Sequence, residues 1–157
     1  MDFTDLEIGL RCSRTVTVTE AMAVTAASGL FGVAAEMPPV FATANMIAFI
    51  EWTCVAALAP YLAPHQRTLG TRVEVSHLAA TPVGMQVTAE VELAEIDGRR
   101  LRFTVTCRDE TETIGEGFHE RAGLPHAEVN ALAHARSRGI DHYRGWRSAK
   151  HHGTDRR

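Results

Sequence analysis

The longest apolar run in the chain, Phe41 to Leu62 (FATANMIAFIEWTCVAALAPYL), contains one ionisable carboxylate or base, Glu51. Its length and lack of alternation predict a helix that starts near Thr43 to Asn45 and ends at Pro60 to Leu62, with Pro64 beyond as a stop. About 20 such residues can span a bilayer. Asn45, Glu51 and Thr53 inside the run, and the lack of a basic flank, argue instead for a helix wrapped by a sheet.

The remaining pattern is mostly of period two. Residues 6 to 18 (LEIGLRCSRTVTV) end in the β-branched alternation of a strand. From Thr19 to Pro39 small residues, Gly29, Gly32 and the Pro38–Pro39 pair predict a short helix and a loop. After the linker APHQRTLG come four strand-like segments. In TRVEVSHLAAT, residues Val73, Val75, His77 and Ala79 share one face, which turns His77 inward. Met85, Val87, Ala89, Val91 and Leu93 share a face of the next strand, Asp97 and Gly98 supply a turn, and Leu101, Phe103, Val105 and Cys107 share a face of the strand after it. The last strand, TETIGEGFHERAG, carries Gly115 and Gly117, which allow close backbone approach or a bulge. One strand, a long apolar helix and then an antiparallel meander describe an α+β chain, with the layout of a hotdog fold: a curled sheet around one central helix.

Composition narrows this further. The 157 residues fit one domain, residues 1–125, followed by a basic, helical or partly disordered extension over 126–157 with seven basic residues against three acidic, a balance of +4. The net charge of -3 gives no case for nucleic acid or an anionic membrane surface. Cys12, Cys54 and Cys107 have no zinc or disulfide spacing and read as free thiols in a reducing compartment. The acidic N-terminus lacks a secretory pattern, so a cytoplasmic location is expected. The tail histidines His126, His134, His142, His151 and His152 lack metal-ligand spacing, and neither a metal nor another cofactor is expected.

A carboxylate in an apolar helix must be satisfied by partners or held protonated. Glu51 on the helix and His77 on the inward face of the next strand are placed to meet, as a general acid/base or nucleophile pair, or as a structural hydrogen bond. Thr43, near the helix start, is either a cap or an oxyanion-stabilising group beside free N–H groups. In one straight helix Thr43 and Glu51 would stand ~12 Å apart. Either the chain bends back before the helix or a second subunit completes the site.

The run VFATANMIAFIEWTCVAALAPYL, the segment LGTRVEVSHLAATPVGMQVT and IGEGFHERA together resemble the fluoroacetyl-CoA thioesterases, a hotdog family, over roughly residues 5 to 132. The resemblance implies a homodimeric hydrolase of an acyl-CoA or acyl-carrier thioester, with Thr43, Glu51 and His77 as catalytic residues. It places Gly70 beside the site and Arg121 near the acyl group. The family's two lid phenylalanines fall on Ala34 and Met37, and Phe31 is the nearest aromatic, so the resemblance implies a small or medium acyl group without strict fluoroacetyl selectivity. Two other readings remain open: a hotdog hydratase or dehydratase, and a hotdog protein that binds acyl thioesters without turnover.

Overall fold

The structure, a computed structural model, describes residues 3, 5–26 and 37–137. Five strands, β1 (Arg11–Thr17), β2 (Gln66–His77), β3 (Gln86–Asp97), β4 (Arg100–Asp109) and β5 (Thr113–Pro125), form one antiparallel sheet in the order β1-β3-β4-β5-β2. Helix α1 (Thr43–Leu58), ended by a 3-10 turn over Ala59–Tyr61, lies against one face of it, and α2 (His126–Ser137) follows β5. This is the α+β hotdog arrangement that the pattern predicts. The proposed loop within residues 27–36, and most of the basic extension, lie outside the described residues.

Alternation explains the sheet. Val87, Ala89, Val91 and Leu93 of β3 and Leu101, Phe103, Val105 and Cys107 of β4 are all buried, facing α1. Gly98, at φ 57°, opens the two-residue turn that sets Asp97 opposite Arg100. β2 begins earlier than its own pattern suggests, because the linker residue Gln66 already pairs with Pro125 of β5. Tertiary pairing overrides local preference there.

Met46, Ile50, Cys54 and Leu58 recur every four residues along α1 and are fully buried. Sealing each of the larger three contributes about 1.5–3 kcal/mol. The opposite face is only partly covered: Ala48, Val55 and Ala56 are half-buried, Ala44 is exposed, and Trp52 is 65% exposed. The expected wrapping of α1 is thus half realised within one chain, since a five-stranded sheet covers one side of a helix.

The start of α1 is tied down by neighbours. Phe41 N–H donates to Thr81 O (2.8 Å), while Ala42 N–H (3.0 Å) and Asn45 Nδ2 (2.9 Å) donate to Met22 O. Thr81 is itself buried and its hydroxyl donates to Asp109 Oδ2 at 3.0 Å. Partial burial pushes the Asp109 carboxyl up, but N–H bonds from Glu112 and Thr111 and the Thr111 and Thr81 hydroxyls outweigh it and hold the group below its usual range. These contacts fix Thr43 relative to the end of β2.

Candidate active site

β2 carries both Gly70 and His77, seven residues apart, which in a regular strand would point to opposite faces. A bulge at Thr71 removes the conflict: Gly70 pairs with Arg121 and Arg72 with Glu120, so Thr71 is the extra residue. The inner rows of β2 and β5 then match as Gly70 with Arg121, Val73 with His119, Val75 with Gly117, and His77 with Gly115. α1 lies over these rows, with Glu51 reaching toward one end and Thr43 toward the other.

At the first end, Glu51 Oε1 accepts from Arg121 Nη1 at 2.9 Å. Arg121 is buried, and the rest of its guanidinium is held in place. Nε donates to Thr68 Oγ1 (3.0 Å), Nη2 to Thr68 O (2.9 Å), and Nη1 also lies 3.0 Å from His119 Nε2. His119 Nδ1 in turn lies 3.0 Å from Arg72 O. Burial, then the Arg121 charge, lowers the His119 proton affinity, and the Arg72 carbonyl and the Glu51 and Glu120 charges only partly offset this. Gly70 makes room for the carboxylate, since a Cβ there would sit 2.6 Å from Glu51 Oε1 and 3.1 Å from His119 Cε1.

At the other end, Thr43 Oγ1 and His77 Nδ1 are 2.8 Å apart. Thr43 is the first residue of α1 and Ala42 the cap, so the threonine hydroxyl is turned to His77 rather than to the helix backbone. His77 Nε2 is buried and has no hydrogen-bond partner among the described residues. A buried imidazole nitrogen left unpaired is costly.

The structure therefore joins the expected residues in two pairs. Glu51 and His77 do not bond to each other within one chain: Glu51 engages Arg121, and His77 Nε2 has no partner among the described residues. Inward placement of His77 holds. Glu51 is satisfied by an arginine, and its side chain remains 40% exposed rather than sealed. Arg121 is 3% exposed and donates to Glu51. Met37 is 45% exposed, whereas Phe31 and Ala34 lie outside the described residues.

Sequence reasoning missed His119 and Thr68. Period-two counting along β5 from Gly115 would have placed His119 on the row of Arg121. Thr68 had no such signal, because it lies in the stretch read as linker. Cys54 and Cys107 are buried, and burial pushes both thiols up to about 12, whereas Cys12 is only partly buried. Among the described residues no group of three or more His, Cys, Asp or Glu side chains is arranged to hold a metal.

The family model for fluoroacetyl-CoA-specific thioesterases matches residues 18–127. The fluoroacetyl-CoA thioesterase of Streptantibioticus cattleyicolor is 48% identical over 97 residues, covering 62% of this chain and 70% of that protein. A solved fluoroacetyl-CoA thioesterase matches with a TM-score of 0.79 at 40% identity, over 82% of this chain and 96% of that one. A substituted form, solved with fluoroacetate and CoA, gives 0.74 at 38% identity over 79% and 99% of the two chains. A hot-dog-like protein from Thermanaerovibrio acidaminovorans, 22% identical over 87% and 97% of the two chains, shares the fold with a TM-score of 0.74.

Proposed function

Because the chain belongs to the fluoroacetyl-CoA-specific thioesterase family and is an acyl-CoA thioester hydrolase, we propose that it works as a homodimer whose two sites each join Glu51 of one protomer to Thr43 and His77 of the other. The unpaired, buried Nε2 of His77 carries this reading. Within one chain the two pairs sit at opposite ends of a helix segment ~12 Å long, too far for contact.

Pairing of two copies closes that gap. β2 is an edge strand, bonded on one side to β5 and open on the other. Antiparallel pairing of β2 with its copy about a two-fold axis near Val73 and Glu74 sets Gly70 opposite His77 of the partner subunit. Glu51, which lies over Gly70, then approaches the orphaned imidazole. The same pairing covers Val73, 42% exposed on the inner row, and brings the partly covered face of α1 with Trp52 against its twin.

In the reaction, Glu51 delivers the attack on the thioester carbonyl, directly as nucleophile or by taking a proton from water. Thr43 and the first N–H groups of α1 stabilise the oxyanion. The C–S bond breaks and the departing thiolate takes a proton through His77. That proton comes from the attacking water by way of Glu51 or, where Glu51 is the nucleophile, from the water that then cleaves the acyl–Glu51 anhydride. In both routes water's oxygen ends in the free acid. Arg121, donating to Oε1, holds the Glu51 carboxylate in place. Free buried thiols fit work in the cytoplasm.

Ala34 and Met37 at the family's lid positions support a small or medium acyl group without strict fluoroacetyl selectivity. Thiol release measured across short, branched, halogenated and aromatic acyl-CoAs tests both points. At least one unfluorinated substrate is expected to exceed fluoroacetyl-CoA, with one free thiol per acid. Water addition across an enoyl thioester without thiol, or tight binding without turnover, would contradict hydrolysis. Gly70→Ala, which pushes on the Glu51 carboxylate, is expected to lower kcat about tenfold or more with little change in the melting temperature.

A further inference from the structure

Arginine only donates hydrogen bonds, and that fixes the protonation of its neighbour. Arg121 Nη1 carries two hydrogens: one goes to Glu51 Oε1, and the other faces His119 Nε2 at 3.0 Å. His119 Nε2 must therefore accept, which makes the ring neutral with its proton on Nδ1. Nδ1 lies 3.0 Å from Arg72 O, a carbonyl that can only accept, so the assignment closes at both ends. His119 is 1% exposed, and no water is needed to satisfy it.

We propose that His119 is a positioning residue: as a neutral acceptor it orients the Arg121 guanidinium, and through it the carboxylate of Glu51. The role deepens the thioesterase reading and rests on it. Without the acceptor, Thr68 still holds Nε and Nη2, but the second Nη1 hydrogen is left buried and unpaired, and the fork can rotate away from Glu51. A protonated His119 would do worse, because its Nε2–H would face the Arg121 cation.

The surroundings favour the neutral ring on balance. The charged and titratable groups acting on the imidazole and its arginine are Arg121 and Glu120 from β5, and Glu51 and Cys54 from α1. β2 contributes the Arg72 carbonyl, while the Arg72 side chain pairs with Glu74. Burial and Arg121 lower the proton affinity of His119, in agreement with the bonding. The folded protein then gains stability from this group above the ordinary histidine pKa, and loses it as pH falls through the lowered value.

Three variants and one spectrum test the proposal. Gln at position 119 can offer a carbonyl oxygen near the site of Nε2, whereas Asn reaches only as far as Nδ1, and Leu offers neither. His119→Leu and His119→Asn are expected to lower kcat about tenfold with KM changed less than about twofold, and His119→Gln to restore kcat to within about threefold of wild type. Long-range 1H–15N correlation of the imidazoles in the full-length protein should show His119 protonated at Nδ1 alone at neutral pH. Wild-type kcat in the Leu and Asn variants, failure of Gln to rescue, or a ring protonated at Nε2 would each overturn the proposal. If the wild-type protein releases no thiol from any acyl-CoA, hydrolysis fails as a reading, and the His119 tautomer still decides the hydrogen-bond assignment on its own.

Discussion

Glu51→Gln is expected to reduce kcat for thioester hydrolysis by at least about a thousandfold, because an amide neither attacks a carbonyl nor takes a proton from water. The fold should survive. Gln keeps an oxygen where Glu51 Oε1 accepts from Arg121 Nη1, so the buried guanidinium is not stranded. The change weakens a charge-assisted bond to a neutral one, at a cost of about 1 kcal/mol, and the 40% exposure of the Glu51 side chain limits the electrostatic loss. Steady-state kinetics and a thermal melt on the same preparation separate the two effects. Turnover near the wild-type rate would remove Glu51 from the chemistry.

Gly117→Ala is expected to destabilise the protein by about 3 kcal/mol or more, lowering the melting temperature by roughly 10 °C. Gly117 has φ 152°, in a region that side-chain-bearing residues rarely adopt. A Cβ there would overlap the Glu74 carbonyl oxygen and sit 2.9 Å from Val75 Cα, and both are backbone that a rotamer change cannot move. The clash falls in the middle of the β2–β5 ladder, between the row of Gly70 and that of His77. Activity should fall along with stability. Gly84→Ala is the control: φ is 98° but nothing lies within 4 Å of the added carbon, so only the backbone cost of about 1–2 kcal/mol is expected. Equal melting temperatures for the two variants would show that β2 and β5 tolerate separation.

Much of this arrangement could be read in advance where a residue's neighbours are set by local periodicity. The bounds of α1, the inward faces of β3 and β4 and the inward turn of His77 all follow from counting, because a half-buried strand or an apolar helix records its environment in its own sequence. What counting lacks is register between elements. The bulge at Thr71 puts Gly70 and His77 on one face, and it arises from the pairing of β2 with β5 rather than from anything near residue 71. Glu51 and His77 do not meet within one chain for a related reason: both residues face the helix–sheet space but sit at opposite ends of it. Arg121 was singled out through family resemblance, although the same parity in β5 that reaches His119 places it on the inner row. His119 was legible by parity in β5 and gained meaning only once Arg121 was seen to need an acceptor.

The partly covered face of α1 and the open edge of β2 give the same indication as the orphaned nitrogen of His77. In the proposed dimer a second copy would cover the first two and bring Glu51 to the third. The most direct test mixes two inactive proteins, Glu51→Gln and His77→Ala, by co-expression with separate tags. A dimer of one of each holds one site with both substitutions and one site with neither. With random pairing, thiol release should return to about a quarter of the wild-type rate. Purified mixed dimers that stay as inactive as either parent would contradict a site shared between subunits.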